Sequence, residues 1–274
     1  MSRATEKYIL GCDVDNTLVP TDEGQQVKGW RQVGLVALET LETIALTQPE
    51  IVGFGSVTGR TMESQLVRAQ EVAEFSSAMD AMSFSVTSVG TVLHRRQESG
   101  LVLDTSWPSS VGGYRAAQIH HAMRGMRCVT LQESAAQGEH KVSYNVAEND
   151  MDHGAFVAKM HHRLANCGIE AEVIFSGGEY LDFLPKGVHK GSALQYVAAS
   201  YERQFGQRPT TIAAGDSMND VQLLAAADMA IVPANADDSL RSWAEQTIPD
   251  KTYFAKQPFA AGILDALAYR DIIG

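Results

Sequence analysis

The sequence predicts an α/β protein: a parallel-sheet core interrupted by a smaller α+β insertion. Three observations carry this. Short β-prone runs alternate with segments of helical apolar spacing in the N-terminal third and again near the C-terminus. Polar residues gather where the β-prone runs stop, which is where open parallel sheets bind ligands. The rhythm breaks at Trp107-Pro108-Ser109-Ser110 and resumes after Lys190.

Tyr8 to Cys12 reads as a strand ending at Asp13, followed by a turn-rich stretch with Asn16, Pro20, Asp22 and Gly24. Trp30, Val33, Leu35, Leu38, Leu41 and Ile44 recur at helical spacing and predict a helix from about Gly29 to Leu46. Ile51 to Val57 reads as a buried strand stopping at Thr58-Gly59-Arg60, and a helix is expected from Met62 to Phe75. Phe84 to Val89 predicts a strand ending in Gly90-Thr91. In the insertion, helices are expected over Tyr114–Arg124 and Met151–Cys167, and a strand over Lys141–Val146. A hairpin follows, Glu172–Phe175 and Tyr180–Leu184, turning at Ser176-Gly177-Gly178. After Lys190 come a helix (Ser192–Phe205), a strand (Thr211–Ala214), a helix (Asp220–Ala227) and a strand (Ala230–Val232). The expected division is a Rossmann-like core of residues 1–108 and 188–274 around an inserted domain of 109–187.

The 274 residues suit one large or two modest domains, and 45% hydrophobic with 20% charged residues is ordinary for a globular chain. The formal charge of −11 speaks against nucleic acid or an anionic membrane surface as partner. A small anionic ligand remains open, given a local cation. No apolar run approaches the roughly 20 residues that span a bilayer, and the opening stretch does not read as a signal peptide. Cys12, Cys128 and Cys167 are odd in number and far apart, which suggests neither a disulfide framework nor a zinc site. Reduced thiols in the cytoplasm, in a monomer or small homo-oligomer, are the expectation. Cys12 should point into the core. His120-His121 and His161-His162 read as ordinary helix positions, because adjacent residues on a helix diverge.

Asp13-Val14-Asp15-Asn16-Thr17 carries the most chemistry. Two residues apart at a strand end, the Asp13 and Asp15 side chains should face one site. Like charges that close call for a neutralising cation, and oxygen ligands favour Mg²⁺. An acid-rich turn explains the same stretch. Gly215-Asp216-Ser217-Met218-Asn219-Asp220 follows another strand, so Asp216 should reach the same sheet edge; helix capping by Ser217 or Asn219 is the bland reading. Thr58-Gly59 at a helix start forms a phosphate cradle or an ordinary cap. Lys190 can approach a phosphate as a point charge or stand solvated. No glycine-rich nucleotide fingerprint occurs.

These four pieces, in this order, resemble the motifs of the haloacid dehalogenase superfamily of phosphotransferases. Within it the chain is most similar to the sucrose-phosphate phosphatase group, through Thr87-Ser88-Val89-Gly90-Thr91, His140 to Tyr144, Phe175 to Gly178, Leu181 to Pro185 and Ala260 to Ile263. The resemblance implies Asp13 as nucleophile and Asp15 as acid and base. It implies phosphate contacts from Thr58, Gly59, Lys190 and Asn219. It implies a Mg²⁺ held by Asp13, the Asp15 backbone carbonyl and Asp216, with Asp220 on the metal or orienting Lys190. The insertion would be a cap that recognises the sugar, and strand alternation puts Lys141, Ser143 and Asn145 on one face as its contacts. Sucrose 6-phosphate or a related glycosyl phosphate is the expected substrate. A glycosyl-phosphoglycerate, an amino-sugar phosphate and a catalytically weak binding homologue are the alternatives.

Overall fold

The computed structural model of the protein describes residues 6–21, 29–108, 116–147 and 152–273. Asp22, Gly24, Tyr114 and Met151, named above in expected turns and helices, lie outside them. By contacts the chain divides into two compact units, Met1–Asp104 with Lys190–Gly274, and Thr105–His189.

The first unit is built on β1 (Tyr8–Cys12), α1 (Trp30–Thr47), β2 (Ile51–Val57), α2 (Met62–Glu71), α3 (Ala73–Ala81), β3 (Phe84–Thr87) and the hairpin β4 (Val92–Gln97) and β5 (Gly100–Leu103). The second unit supplies α4 (Ala116–Met123), β6 (Val129–Leu131), β7 (Val142–Val146), α5 (His153–Ala165), β8 (Ala171–Ser176) and β9 (Tyr180–Pro185). The chain then returns through α6 (Lys190–Phe205), β10 (Thr210–Ala214), α7 (Val221–Ala226), β11 (Met229–Val232), α8 (Asp238–Thr247), β12 (Thr252–Phe254) and α9 (Phe259–Tyr269).

Among the described residues the first unit has one eight-stranded sheet, ordered β12-β11-β10-β1-β2-β3-β4-β5. From β12 to β3 the strands are parallel; β4 and β5 add an antiparallel edge. The parallel α/β core is therefore as the sequence predicts. Leu10 and Cys12 alternate into the main apolar cluster with residues of α1, α3 and α9. Gly11 faces the opposite side, where an added Cβ would meet Leu194 of α6 at 2.8 Å. In the second unit an antiparallel sheet, β6-β7-β9-β8, packs Val142, Tyr144, Val146, Leu181 and Phe183 against Ile119, Phe156 and Met160 of α4 and α5.

Several elements depart from expectation. One helix over 62–75 is instead α2 and α3, broken at Val72, whose backbone is extended (φ −128°) and whose side chain is buried. No Gly or Pro marks that break; burial of Val72 selects it. The β4–β5 hairpin escapes period-2 reading because His94, Arg95 and Arg96 interrupt it. The two arginine heads are satisfied within the fold: Arg95 pairs with Asp104 at 2.8 Å, and Arg96 Nε donates to the Met82 carbonyl at 2.9 Å; the buried Nδ1 of His94 has no partner among the described residues. The expected strand 84–89 stops at Thr87, since Ser88 and Val89 turn left-handed.

Only a glycine fits where α6 passes α7. A Cβ on Gly191 would lie 2.2 Å from the Gln222 carbonyl oxygen and 2.7 Å from Ala226 Cβ. Backbone cannot yield as a side-chain tip does, so Gly191→Ala should cost about 1–3 kcal/mol of overpacking. At roughly 2–4 °C per kcal/mol for a unit of this size, differential scanning calorimetry should show the melting point several degrees lower. An unchanged melting point would contradict the close approach.

Candidate active site

Register brings the motifs together. Cys12 aligns with Ala214 on one side and Ser56 on the other, so Asp13 and Gly215 leave the sheet beside the end of β2 at Val57. Asp13 N–H still donates to the Ala214 carbonyl at 3.0 Å. The chain departs from β1 in one direction to β2 and returns on the other flank through β10, so β1 is a topological switch point. Past Asp13 the backbone loops: Asn16 is left-handed (φ 56°) and its side chain caps Thr21, with Oδ1 accepting from N at 3.1 Å and Oγ1 at 2.8 Å. That short polar residue tolerates the conformation locally.

Lys190, the first residue of α6, is 1% exposed. Its ammonium donates to Asp13 Oδ1 at 2.9 Å, Asn219 Oδ1 at 3.0 Å and Asp220 Oδ1 at 2.6 Å, which uses its three N–H groups. Burial by itself would lower the Lys190 pKa, but Asp13 and Asp220 outweigh it and raise it. The solvated alternative for this lysine is thereby set aside.

Asp13, Asp216 and Asp220 are all buried and offer ligand oxygens within 4.8 Å of one another. Burial pushes the Asp13 carboxyl up to about 7, against the pull of Lys190 and with a further push from Asp220 and Asp15. Burial, then the charges of Asp220 and Asp13, holds Asp216 well above the usual carboxylate range. Three ionised carboxylates facing one ammonium leave a surplus of negative charge that burial makes costly. Oxygen-only donors of this kind fit a hard divalent cation such as Mg²⁺.

The three carboxylates are not equivalent. Asp220 has both oxygens engaged: Oδ1 by Lys190, and Oδ2 by the amides of Asp216 at 3.1 Å and Ser217 at 3.3 Å. With the Ser217 side chain this forms a capping box at the Met218–Asp220 turn, so capping and charge placement are one device here. Asp13 and Asp216 each keep one oxygen outside any hydrogen bond of the described residues, Asp216 Oδ1 being taken by Thr17 Oγ1 at 2.9 Å. They are the pair suited to an ion.

Asp15 corrects the alternation argument. Because the chain turns after Cys12, its carboxylate lies outside the acidic trio and sits in the fork of Arg60, Nε to Oδ2 at 2.5 Å and Nη2 to Oδ1 at 2.9 Å. Arg60 and Thr17 are the two groups that sequence reasoning did not assign. A lone Arg after a strand end does not reveal its partner, and Thr17 stood in the first motif without a role. Thr58 is buried but is not the helix cap; Thr61 caps α2 by accepting from Ser64 N–H at 3.2 Å. Thr58 Oγ1 instead accepts from Arg60 N–H at 3.2 Å, across Gly59.

In the second unit, Lys141 precedes β7, and Ser143 and Asn145 lie on the face of that strand opposite its apolar core. They differ in access. Ser143 is fully buried and donates to Asp182 Oδ1 at 2.5 Å; Lys141 Nζ lies 3.6 Å from the same oxygen; Asn145 is exposed. Cys12 lies in the core, and burial raises its thiol pKa. His120 bonds the Tyr144 hydroxyl at 2.7 Å, and the acidic trio is the one metal-type cluster among the described residues. No helix of the described residues is long and apolar enough to cross a membrane.

The family described as sucrose-6F-phosphate phosphohydrolase matches residues 6–271. The chain belongs to that family. Sucrose-phosphatase 1 of Nicotiana tabacum is 33% identical over 144 residues, covering 52% of this chain and 33% of that protein. Mannosylfructose-phosphate phosphatase of Agrobacterium fabrum is 27% identical over 217 residues, 77% of this chain and 80% of that one. The sucrose-phosphatase of Synechocystis sp. PCC6803, solved with sucrose and phosphate, superposes with a TM-score of 0.77 at 25% identity over 97% of this chain and 98% of that one. The chain spans between 33% and 61% of the length of the first plant relatives it matches. The fold, core sheet and inserted unit alike, is that of the haloacid dehalogenase-like phosphatases.

A divalent ion that binds only the folded trio should raise the melting point. At a hundred times Kd the gain is about 2.7 kcal/mol, reversed by EDTA. In Asp216→Asn the Mg²⁺-dependent shift should shrink to near zero. An equal shift in the variant would place the ion elsewhere.

Proposed function

We propose that the protein is a Mg²⁺-dependent phosphatase that cleaves a phosphate monoester of a disaccharide through an aspartyl-phosphate. The observation that carries this is the buried convergence of Asp13, Asp216 and Asp220 on Lys190 at the switch point of the sheet. Phosphoryl transfer asks mainly for positioning and charge neutralisation, and this group offers both.

In this reading an oxygen of Asp13 attacks phosphorus and the bond from phosphorus to the sugar oxygen breaks. Asp15 gives a proton to that leaving oxygen; since Arg60 occupies both of its oxygens in this structure, the step requires Asp15 to leave the fork and first take up a proton from solvent. It then takes a proton from water, whose oxygen attacks the aspartyl-phosphate and frees Asp13 and inorganic phosphate. Thr58, the Gly59 amide and Lys190 hold the phosphoryl oxygens. Lys190 has no spare N–H, so contact with phosphate is gained by exchange, and the neutral Asn219 is the weakest of its three partners. Asp220 keeps the ammonium in place. Mg²⁺, held by Asp13, Asp216 and the Asp15 carbonyl, would supply charge neutralisation for the approaching phosphate.

The names of the relatives support the substrate class. They give sucrose phosphate and mannosylfructose phosphate, and both are disaccharide phosphates. The polar face of the second unit is the proposed sugar-recognition surface. Asn145 is its accessible amide; Lys141 and Ser143 act mainly by fixing Asp182.

Phosphate release from sucrose 6-phosphate, mannosylfructose phosphate, a glycosyl-phosphoglycerate and an amino-sugar phosphate, with Mg²⁺ or EDTA, tests the reading. Selective turnover is expected for a disaccharide phosphate, lost in EDTA and lowered at least on the order of a thousandfold in Asp13→Asn. Retained turnover in Asp13→Asn would remove the nucleophile assignment; binding without turnover would favour a weak homologue. Asn145→Ala should raise KM for the sugar phosphate about fivefold, the value of one hydrogen bond, and leave KM for p-nitrophenyl phosphate alone. Equal effects on both would take Asn145 out of sugar recognition.

A further inference from the structure

We propose that the left-handed turn Ser88–Gly90 is a positioning element of the site, gripping the Thr58–Arg60 loop by its backbone and so setting Arg60 against Asp15. The inference rests on the phosphatase reading for its kinetic consequences and on geometry for its existence.

Three successive residues have positive φ: Ser88 at 52°, Val89 at 60° and Gly90 at 102°. A β-branched residue in that region is a genuine outlier. Such a conformation persists where its surroundings over-determine it. Here the surroundings are specific. The turn presents two amides to the neighbouring loop: Ser88 N–H donates to the Arg60 carbonyl at 2.7 Å and Val89 N–H to the Thr58 carbonyl at 3.1 Å. Thr91 closes the turn, with its amide at 3.2 Å and its hydroxyl at 2.9 Å both donating to the Ser88 carbonyl. All four residues are buried.

The gripped loop is the stretch that has left strand pairing and must still place two side chains. Thr58 N–H makes the last bond to β3, at the Val86 carbonyl, 2.9 Å away. Beyond it the two amides from the turn hold the carbonyls of residues 58 and 60. Arg60 is then fixed at both ends, its backbone by Ser88 and its guanidinium by Asp15 and by Ser64 Oγ at 2.9 Å. An ordinary right-handed turn after β3 would not direct both amides at this loop.

Two variants loosen the turn without touching the loop. Gly90→Ala puts a side chain at φ 102°, and Thr91→Val removes the closing hydroxyl. Each should lower kcat on the sugar phosphate about tenfold, as misplaced groups do, and weaken phosphate binding through Thr58 and the Gly59 amide on the same loop. Gly125→Ala, at φ 81° in the second unit with open space around its Cβ position, loses the same backbone freedom and should keep wild-type kcat. The deciding measurement is a double-mutant cycle. In an Arg60→Met background, either turn variant should lower kcat less than about twofold further, because its effect runs through Arg60. Additive losses, or wild-type kcat in both turn variants, overturn the proposal. If Gly90→Ala does not fold, Thr91→Val alone completes the cycle. Inorganic phosphate with Mg²⁺, titrated calorimetrically, separates this from failure of the phosphatase reading. Weaker phosphate binding by the turn variants supports the positioning role even in an enzyme that turns over no ester tried, and unchanged affinity in such an enzyme overturns it.

Discussion

A buried ammonium organises this protein. Lys190 is almost wholly removed from water, a state a lysine keeps only with opposite charge close by. Asp13 and Asp220 supply that charge, and Asn219 the remaining acceptor. The dependence is mutual, since three carboxylates could not share so small a buried volume without the lysine. It also has a structural reach. The lysine opens α6 where the chain re-enters the first unit, and Gly191 beside it lets α6 approach α7 closely enough for Nζ to meet Asp220. Asp220 is immobilised in turn by two amides of its own turn.

The sheet order decides which residues can join this network. With β1 between β10 and β2 in parallel register, the residues after β1 and β10 meet at one edge although far apart in sequence, and Lys190 at the start of α6, 177 residues from Asp13, reaches it there. The chain's surplus of acid is not an obstacle to an anionic ligand. Local charges at close range outweigh a distributed −11, most of which is screened by solvent. The acidic trio by itself would repel a phosphate; in the proposed reading a hard cation and Lys190 offset it.

Arg60 and Asp15 form a second charged unit beside the first. Their bidentate pairing leaves Asp15 outside the acidic trio and separates the work of the two carboxylates of the first motif. One is buried beside a lysine, the other half-exposed in an arginine fork. The same sequence motif thus yields two different environments, set by a turn of the backbone at Asn16 and by an arginine from the next strand's end. In the second unit the division is made by alternation, with apolar residues of β7 in the core and polar ones on the other face. One of that polar set, Ser143, is already committed to Asp182.

Sequence alone determined what local chemistry fixes. Short apolar runs alternating with helically spaced segments gave the parallel core, because its strands are covered on both faces, and Gly177-Gly178 between two β-prone runs gave the β8–β9 hairpin. Carboxylates and a hydroxyl at strand ends marked the site, because polar residues there serve either caps or ligands. Breaks and partners were decided by tertiary structure. The break at Val72 carries no breaker residue and exists because that side chain is buried; the β4–β5 hairpin is polar in pattern and stable because its arginines find acceptors on other segments. Which carboxylates keep an oxygen open, which one pairs with Arg60, and that Thr17 orients Asp216 all depend on groups distant in the chain. Hydrogen bonds and ion pairs act over a few ångströms of space rather than along the sequence, so only the folded register of β1, β2 and β10 could assign them.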